Sequence, residues 1–210
     1  AFKHNFPMLS LNNGYKDEEV ESFFEKCKKS FNNFQILAET KVDGLSASLI
    51  YEKQKLVRAL TRGDGVQGED ITKNIIFVDH VKQKLPSNFP ESLEIRGEIF
   101  MPKNAFIELN KERNKNNAQI FSTARNAAAG SIRQLDPEIT KHRKLSFFGY
   151  TVISKNEYFG ETIQDTRNIL LNHNFILNMP VTLCSNVKDM ISFYNHINGI
   201  RNELEYDIDG

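Results

Sequence analysis

Charged side chains recur at every second position in two stretches of the chain, residues 38–52 (AETKVDGLSASLIYE) and residues 93–100 (LEIRGEIF). In chain order, the charged residues of this pattern are Glu39, Lys41, Asp43, Glu94, Arg96 and Glu98. Side chains alternate between the two faces of an extended backbone, so each set shares one face. Each stretch therefore predicts a β-strand with a charged face and an apolar face, and the fold must provide partners for both faces.

Glycines lie beside both charged patterns. A polar face turned toward water is the simplest explanation of one such strand. However, Gly44 and Gly97 stand within the two patterns, and the nearby loop 61–70 (TRGDGVQGED) has three more glycines. Glycine in a strand lets a ligand approach the backbone closely. We therefore expect the charged faces to bind a polar ligand that carries both hydroxyl groups and phosphate.

The remaining patterns predict one α+β domain with antiparallel sheets flanked by helices. Strands are predicted within residues 35–62, as a hairpin or meander with a turn near EKQK, and within residues 92–102 and 144–153. Helices are predicted over residues 16–31, 70–78 and 103–114, in the Ala-rich part of 122–137 that Pro137 ends, and from Val187 to a close at Asn198-Gly199. The final EYDIDG predicts a strand that is only beginning, as in a fragment.

Composition narrows the class of protein. Lysine and arginine total 27, as do aspartate and glutamate, and this balance argues against strong electrostatic binding of nucleic acid by this chain alone. The basic run 141–144 can contact phosphate or remain solvated surface. Cys27 and Cys184 lack zinc-ligand spacing, so we expect two ordinary thiols in a reducing compartment. No apolar run suits a membrane span or a signal peptide, so we expect an intracellular protein without membrane contact.

Lys41 carries the most distinctive chemistry of the first stretch. A lysine can act as a nucleophile, because its neutral amine attacks carbonyl carbon or phosphorus. Freeing that amine near neutral pH costs about 4 kcal/mol, starting from an unperturbed pKa of about 10.4. Desolvation, a neighbouring cation or a bound metal lowers the cost, whereas a tightly paired carboxylate raises it. We therefore expect Glu39 and Asp43 to serve the ligand or a metal rather than to pair tightly with Lys41.

The motif KVDG at residues 41–44 resembles the Lys-x-Asp-Gly motif of covalent nucleotidyltransferases, which include DNA ligases, RNA ligases and mRNA capping enzymes. Further stretches that carry the resemblance are, in chain order, PMLSL, TRGDGVQGEDIT, LEIRGEIFMP, RNAAAGSIRQLDP and LSFFGY. Their order and spacing resemble the adenylation domain of bacterial NAD-dependent DNA ligases over essentially the whole chain. The stretch RNAAAGSIRQLDP is not a pattern of the ATP-dependent relatives.

This resemblance implies the nucleotidyltransferase fold and a three-step reaction. In the family, a lysine attacks the α-phosphorus of NAD, expels nicotinamide mononucleotide and holds AMP as a phosphoramidate. AMP then passes to the 5′-phosphate of a nick in double-stranded DNA, and the 3′-hydroxyl displaces it in replication and repair. The implied cofactors are NAD and Mg²⁺ or Mn²⁺, with zinc only in parts of the parent outside this chain. The isolated chain is expected to be a monomer, and the parent to lie in the bacterial cytosol.

Matching the family motifs residue by residue implies roles for the site residues. Lys41 is the nucleophile, Asp43 supports it, Glu39 contacts adenine, Glu98 binds the ribose and Tyr150 stacks on adenine. Further nucleotide contacts are implied for Arg62, Ser10 and Leu11. Contacts with nucleotide or DNA phosphates are implied for Arg125, Arg133 and Arg201. No residue is assigned as a direct metal ligand.

Residues 1–210 are expected to be an incomplete adenylation domain, with a leading helical segment of about residues 1–34 and a catalytic body of about residues 35–210. The resemblance implies that two later lysines, the segment that grips the nicotinamide half and the modules that encircle DNA lie outside these residues. The isolated chain is therefore expected to bind adenine-site ligands but to react poorly. Two alternatives stay open: an ATP- or GTP-dependent ligase or capping enzyme, and a nucleotide-binding module whose lysine never reacts.

Overall fold

The computed structural model describes residues 1–154 and 159–210 and consists of two compact units. The first unit comprises residues 1–8, 41–178 and 205–210, and the second comprises residues 9–40 and 179–204. The expected boundary near residue 34, between a leading segment and a catalytic body, stays a prediction.

The described residues form eight strands and seven helices. The strands are β1 (Phe2–Lys3), β2 (Ile36–Glu39), β3 (Leu45–Glu52), β4 (Lys55–Thr61), β5 (Gln67–Gly68), β6 (Ser92–Phe100), β7 (Ser146–Ser154) and β8 (Val181–Cys184). The helices are α1 (Asp17–Ser30), α2 (Thr72–Ile75), α3 (Lys103–Lys115), α4 (Ala124–Ile132), α5 (Pro137–Lys141), α6 (Ile163–Asn172) and α7 (Val187–Ile200). The helices and antiparallel sheets confirm the predicted α+β class. Among residues 1–154 and 159–210, no helix has the length and apolar character that a membrane crossing requires.

A four-stranded antiparallel sheet in the order β4-β3-β6-β7 forms the centre of the first unit. Strands β3 and β4 form a hairpin whose two turn residues, Lys53 and Gln54, both have positive φ. Two-residue turns of this kind match the twist of the strands that they join. The hairpin with a turn near EKQK, predicted from the sequence, is therefore confirmed.

The apolar face of this sheet contributes to a core that includes the Ala-rich helix α4. Ile95 of β6 and Ala127 and Ala128 of α4 are completely buried. Gly97 is required in β6, because a Cβ at this position would lie 2.1 Å from the carbonyl oxygen of Phe148. The apolar alternation of LEIRGEIF and the helix within RNAAAGSI are thus confirmed.

The charged face of β6 is covered by protein groups rather than by water. Glu94 and Arg96 are both buried, with Arg96 Nε 2.6 Å from Glu94 Oε1, and the Ser48 hydroxyl donates to the same oxygen at 2.7 Å. The Arg96 guanidinium also donates to the carbonyl oxygens of Phe6 at 2.6 Å and Pro7 at 2.9 Å. The N-terminal segment, residues 1–8, is thereby fixed to the sheet. Of the three charged residues on this face, Glu98 is therefore the one that we still expect to bind a ligand.

Residues 38–52 do not form one continuous strand. Strand β2 ends at Glu39 and strand β3 begins at Leu45. Strand β2 pairs with β8, whereas β3 pairs with β4 and β6, so the backbone leaves one sheet and enters another. The prediction that Lys41 and Asp43 continue the strand face of Glu39 was therefore wrong.

The second unit consists of helices α1 and α7 and the antiparallel pair of strands β2 and β8. Phe24 of α1 is buried, and its ring centroid lies 5.3 Å from that of Phe34. Cys27 and Cys184 are both free, with Cys184 buried. The predicted apolar stripe of α1 is confirmed in part, because Phe24 is buried whereas Phe23 is 51% exposed.

Two predicted helix ends were wrong. Helix α7 continues through Gly199 to Ile200, because Gly199 is not among the residues with the positive φ of a left-handed helix cap. The Ala-rich helix α4 ends at Ile132, before Pro137. Pro137 is instead the first residue of helix α5, which the Asp136 carboxylate caps by accepting from the Glu138 backbone amide at 3.0 Å. Proline suits the first helical position because the missing N–H has no partner there.

Replacing Arg96 with methionine should lower the free energy of unfolding by about 3 to 5 kcal/mol, because Glu94 would be left as a buried charge without its cation. Urea unfolding at pH 7, followed by circular dichroism, measures this change. The matched control is Lys144→Met, which breaks the exposed pair of Lys144 and Glu108, whose Nζ and Oε2 lie 2.8 Å apart. That variant should lose much less stability than Arg96→Met, because exposed ion pairs contribute little, and equal losses in the two variants would contradict the importance of the buried network.

Candidate active site

The segment that carries Lys41 is held by the last residues of the chain. The Lys41 amide donates to the Gly210 carbonyl at 2.8 Å, and the Asp209 amide donates to the Lys41 carbonyl at 3.0 Å. Between these bonds, Val42 and Ile208 form an antiparallel bridge and are both buried. Since side chains alternate along an extended backbone, Lys41 lies on the opposite side from Val42. The predicted final strand is therefore present only as a bridge, and it fixes the backbone of the candidate nucleophile.

Four charged side chains meet at this bridge. Lys41 Nζ lies 2.5 Å from Asp209 Oδ1. Arg125, from helix α4, places Nη1 3.0 Å from Asp43 Oδ1 and 3.8 Å from Asp209 Oδ2. The side chain of Lys41 remains 46% exposed, so a ligand can reach it. Asp43 thus pairs with Arg125, whereas Asp209 is the ion-pair partner of Lys41.

Asp209 belongs to the site although its role is not predicted from the sequence. The segment EYDIDG has Asp207 and Asp209 at alternate positions beside buried Tyr206 and Ile208. This pattern of charged and apolar residues resembles that of KVDG, and it is the signal by which Asp209 could have been found. The ion pair itself depends on a contact between residues 168 positions apart, which no local pattern predicts.

Glu98 of strand β6 adjoins this cluster in a half-buried position. The Ser46 hydroxyl of β3 donates to Glu98 Oε2 at 2.9 Å. Burial raises the pKa of Glu98 to about 7, the Ser46 hydrogen bond and the charges of Lys41 and Arg125 oppose this rise, and Asp209 adds to it. Gly44 allows the close approach, because a Cβ there would lie 2.9 Å from Glu98 Cγ. Glu98 and Lys41 are thereby brought together.

Tyr150 is set beside Glu98 by an irregularity in strand β7. The pairing with β6 passes from Arg96–Thr151 to Gly97–Gly149, which leaves Tyr150 as an extra residue at a β-bulge. Bulges re-aim side chains and are common next to active sites. Burial raises the pKa of the Tyr150 hydroxyl, and the charge of Glu98 raises it further, whereas a hydrogen bond with Ser46 and the charges of Arg96 and Arg62 lower it.

Arg62 joins the same region through its backbone. Its amide donates to the Ser46 carbonyl at 3.0 Å, so the loop after β4 is attached to the strand whose serine hydroxyl binds Glu98. The first unit therefore brings together six of the residues expected in the site. They are Lys41, Asp43, Arg62, Glu98, Arg125 and Tyr150.

The other expected site residues lie elsewhere in the chain. Arg133 follows helix α4 and places Nε 2.6 Å from Glu69 Oε2 in an exposed ion pair. In the second unit, Glu39 ends strand β2, Arg201 is the residue after helix α7, and both Ser10 and Leu11 are exposed. The roles expected of these residues stay predictions.

The carboxylates near Lys41 bear on how a divalent metal would be bound. Within residues 1–154 and 159–210, no three or more His, Cys, Asp or Glu side chains are grouped to hold a metal ion. Mg²⁺ in nucleotide sites is usually bound by one or two carboxylates together with substrate phosphates. The carboxylates of Asp43 and Asp209 already face Arg125 and Lys41. The donors therefore fit a metal carried mainly by phosphates, and we assign no direct protein ligand.

Comparisons with known proteins match the whole chain. The family model of the NAD-dependent DNA ligase adenylation domain matches residues 1–210. Curated relatives named DNA ligase include those of Hyphomonas neptunium (41% identical), Bartonella tribocorum (42%) and Fervidobacterium nodosum (39%). Each alignment covers 99% of this chain and 30% of the relative. The chain thus spans about 30% of the length of these relatives.

Replacing Glu98 with glutamine should remove a fall in stability with rising pH. The folded state holds the Glu98 proton more tightly than the unfolded state, since the pKa is raised from 4.5 to about 7. The contribution of Glu98 to the free energy of unfolding is full below pH 4.5, falls by about 3 kcal/mol as the pH rises to about 7, and is then constant. The Glu98→Gln variant should therefore gain stability over the unaltered chain at pH 8, but little at pH 4.

Urea unfolding at several pH values between 4 and 8 measures this difference. Glu108→Gln is the matched control, because Glu108 is an exposed glutamate whose hydrogen bond with Lys144 lowers its pKa. That variant should keep the fall in stability between pH 4.5 and 7. A Glu98→Gln variant with the same pH dependence as the unaltered chain would contradict the raised pKa.

Proposed function

Because the chain belongs to the family of NAD-dependent DNA ligase adenylation domains, we propose that Lys41 is the residue that receives AMP from NAD. The observation that carries this proposal is the cluster at Lys41, which combines a solvent-accessible amine, the cation Arg125 and the half-buried carboxyl group of Glu98. A nucleophilic lysine needs access to its electrophile and nearby positive charge. The cluster supplies both beside groups that can bind a nucleotide.

In the proposed step, the ammonium group of Lys41 gives up one proton and the neutral amine attacks the α-phosphorus of NAD. A nitrogen–phosphorus bond forms while the bond from the α-phosphorus to the bridging oxygen breaks. Nicotinamide mononucleotide leaves with that oxygen. The nitrogen releases a second proton, and AMP remains attached as a phosphoramidate. Asp209 accepts a hydrogen bond from the amine before attack, so it is placed to guide the first proton toward solvent.

We propose that the adenosine half of NAD binds in a pocket of the nucleotidyltransferase fold. Tyr150 stacks on adenine and Glu98 binds the ribose. The further nucleotide contacts proposed are Glu39, Ser10, Leu11 and Arg62. Support comes from the bulge that sets Tyr150 beside Glu98 and from the Ser46 hydrogen bond that orients the Glu98 carboxyl group. Base–aromatic stacking contributes about 1 to 3 kcal/mol and tolerates different bases, so Glu39 is the group proposed to select adenine.

Arg125 is proposed to contact phosphate during this step. Its guanidinium faces two carboxylates beside Lys41, and arginine suits both carboxylate and phosphate because it offers several donors in one plane. Arg133 and Arg201 are proposed to contact nucleotide or DNA phosphates. Mg²⁺ or Mn²⁺ carried by the phosphates would neutralise the charge that develops at the reacting phosphorus.

We further propose that a longer protein containing this chain passes AMP to the 5′-phosphate of nicked double-stranded DNA and seals the nick. In that transfer a phosphorus–oxygen bond replaces the phosphorus–nitrogen bond, and the 3′-hydroxyl then displaces AMP. The curated relatives named DNA ligase support this proposal. The match to an NAD-dependent family disfavours an ATP- or GTP-dependent enzyme. A covalent adduct distinguishes a reacting lysine from one that only helps to bind nucleotide.

Lys41→Arg, in a full-length protein that contains these residues, should abolish the AMP adduct and the sealing of nicked DNA. Arginine keeps the positive charge but does not lose it near neutral pH, so no neutral amine forms. Mass measurement after denaturation, following incubation with NAD and Mg²⁺, detects the adduct. Lys53→Arg, at the exposed hairpin turn, is the matched control and should react normally. An adduct on another residue of the Lys41→Arg protein would contradict the assignment.

A polypeptide of residues 1–210 alone should bind AMP but form the Lys41 adduct slowly from NAD. Binding requires stacking and a few hydrogen bonds. Attack also requires the amine to lose its proton, which costs about 4 kcal/mol near neutral pH, and positioning of the reactants, which accounts for about 7 to 11 kcal/mol of a barrier. Titration calorimetry with AMP and the same mass measurement test both parts. Adduct formation as fast as that of a full-length protein would contradict the second part.

A further inference from the structure

The N-terminal segment, residues 1–8, lies along the glycine-rich loop that carries Arg62. Strand β1 pairs with β5, which belongs to this loop. The His4 amide donates to the Val66 carbonyl at 2.9 Å, and the Met8 amide donates to the Gly65 carbonyl at 2.8 Å. These contacts hold the far side of the loop. They do not reach Arg62, whose backbone is contacted by the side chain of His4.

The imidazole of His4 is buried against the loop. Its Nε2 lies 3.1 Å from the Arg62 carbonyl oxygen. Because the carbonyl can only accept, Nε2 carries the proton. Within the part of the chain that the structure describes, His4 Nδ1 is buried without a hydrogen-bond partner. Gly68 leaves room for the ring, since a Cβ there would lie 3.0 Å from Nε2. Burying a polar ring with a single hydrogen bond lowers the stability of the folded state relative to an apolar side chain that fills the same space.

That one hydrogen bond is made to Arg62, whose backbone also makes one hydrogen bond within the loop and one with strand β3. The Arg62 carbonyl also accepts from the Gly65 amide at 3.0 Å, and the Arg62 amide donates to the Ser46 carbonyl at 3.0 Å. Gly63 and Gly65 both have positive φ. Glycine gives the loop conformational freedom, and the His4 contact adds to the Ser46 hydrogen bond a second contact from outside the loop, at the Arg62 carbonyl where the glycines begin.

The direction in which Arg62 leaves the sheet matters because it determines where the Arg62 side chain lies. The Arg62 backbone is bonded to Ser46, whose hydroxyl binds Glu98, so the Arg62 side chain starts beside the candidate adenosine pocket, and its charge lowers the pKa of Tyr150. Ser46, whose carbonyl accepts the hydrogen bond from the Arg62 amide, also donates its hydroxyl to Glu98 Oε2 at 2.9 Å. A chain of hydrogen bonds therefore runs from His4 through the Arg62 backbone and Ser46 to Glu98.

We propose that His4 is a positioning residue that holds the Arg62 backbone, and through it directs the Arg62 guanidinium toward the phosphate of a bound adenine nucleotide. The proposal rests on the proposed function, since it requires the first unit to bind such a nucleotide. His4 itself does not touch the ligand. Its effect on binding is therefore transmitted entirely by Arg62 and depends on the phosphate of the ligand.

The test compares the affinities of AMP and adenosine for the 210-residue chain by titration calorimetry. His4→Leu fills the space but cannot donate, whereas the Nε2 of His4→Gln can still donate to the Arg62 carbonyl. We expect His4→Leu to weaken AMP binding by about tenfold, the effect of losing one positioning hydrogen bond. Adenosine binding should change less than about twofold, and His4→Gln should recover most of the AMP affinity.

A double-mutant cycle with Arg62→Ala separates positioning from general damage to the fold. In the Arg62→Ala background, His4→Leu should cause no further loss of AMP affinity, although it should lower the melting temperature in both backgrounds. Equal losses of affinity in the two backgrounds, or equal losses for AMP and adenosine, would overturn the proposal. If AMP affinity is unchanged by Arg62→Ala alone, the positioning role also fails, while the proposed function can stand.

Two further cases are a chain that binds no nucleotide and a His4→Leu variant that does not fold. If the unaltered chain binds neither AMP nor adenosine, the proposed function and the role of His4 fail together. If His4→Leu does not fold, ¹⁵N nuclear magnetic resonance of the unaltered chain decides which ring nitrogen of His4 is protonated. A proton on Nε2, with His4→Gln retaining AMP affinity, supports the proposal, and a proton on Nδ1 alone overturns it.

Discussion

The buried ion pair of Glu94 and Arg96 is the interaction on which the rest of the first unit depends. Two charges side by side on one strand are stable in the interior only when their remaining donors and acceptors are satisfied. Ser48 satisfies the carboxylate, and the carbonyls of Phe6 and Pro7 satisfy the guanidinium. Arg96 therefore attaches the N-terminal segment to the sheet. That segment in turn contacts the glycine-rich loop through His4 and Met8, so the buried pair bears on the position of Arg62.

Three carboxyl groups near Lys41 are distinguished by their surroundings. Asp43 and Asp209 face the cations Arg125 and Lys41. Glu98 is half-buried, and its pKa of about 7 means that it can donate as well as accept a hydrogen bond. In the proposed function this difference is useful, because a neutral Glu98 can bind a ribose hydroxyl without repelling the phosphates. The charged aspartates would instead orient the two cations that face the phosphates.

The sequence predicted local structure well where one strand or helix determines the pattern. The alternation in LEIRGEIF and the turn residues Lys53 and Gln54 needed no distant contact. The break between Glu39 and Leu45 was not predictable from alternation, because it depends on two sheets made with distant partners. Helix α6 was missed although Thr162 and Asp165 form a capping box at its start. This capping box is a local signal that the sequence itself contains.

The candidate site shows the same division between local and distant information. Lys41, Asp43 and Glu98 stand out by their spacing and their neighbouring glycines, and the structure brings all three together. Their arrangement depends on the bridge between Val42 and Ile208, which joins the start of segment 41–178 of the first unit to its segment 205–210.

The bridge also imposes a physical constraint on the proposed reaction. Because backbone hydrogen bonds join Lys41 to both Asp209 and Gly210, separating the two backbones would require opening the bridge. The proposed reaction therefore needs the Lys41 amine to leave Asp209 by a movement of side chains or by a change in the surrounding charge, with the bridge kept closed. Arg125 contacts both Asp43 and Asp209, so a phosphate that draws on the donors of Arg125 would leave the negative charge of the two aspartates less compensated. In the proposed function, positive charge carried with the phosphates would make up for this loss at the reacting amine.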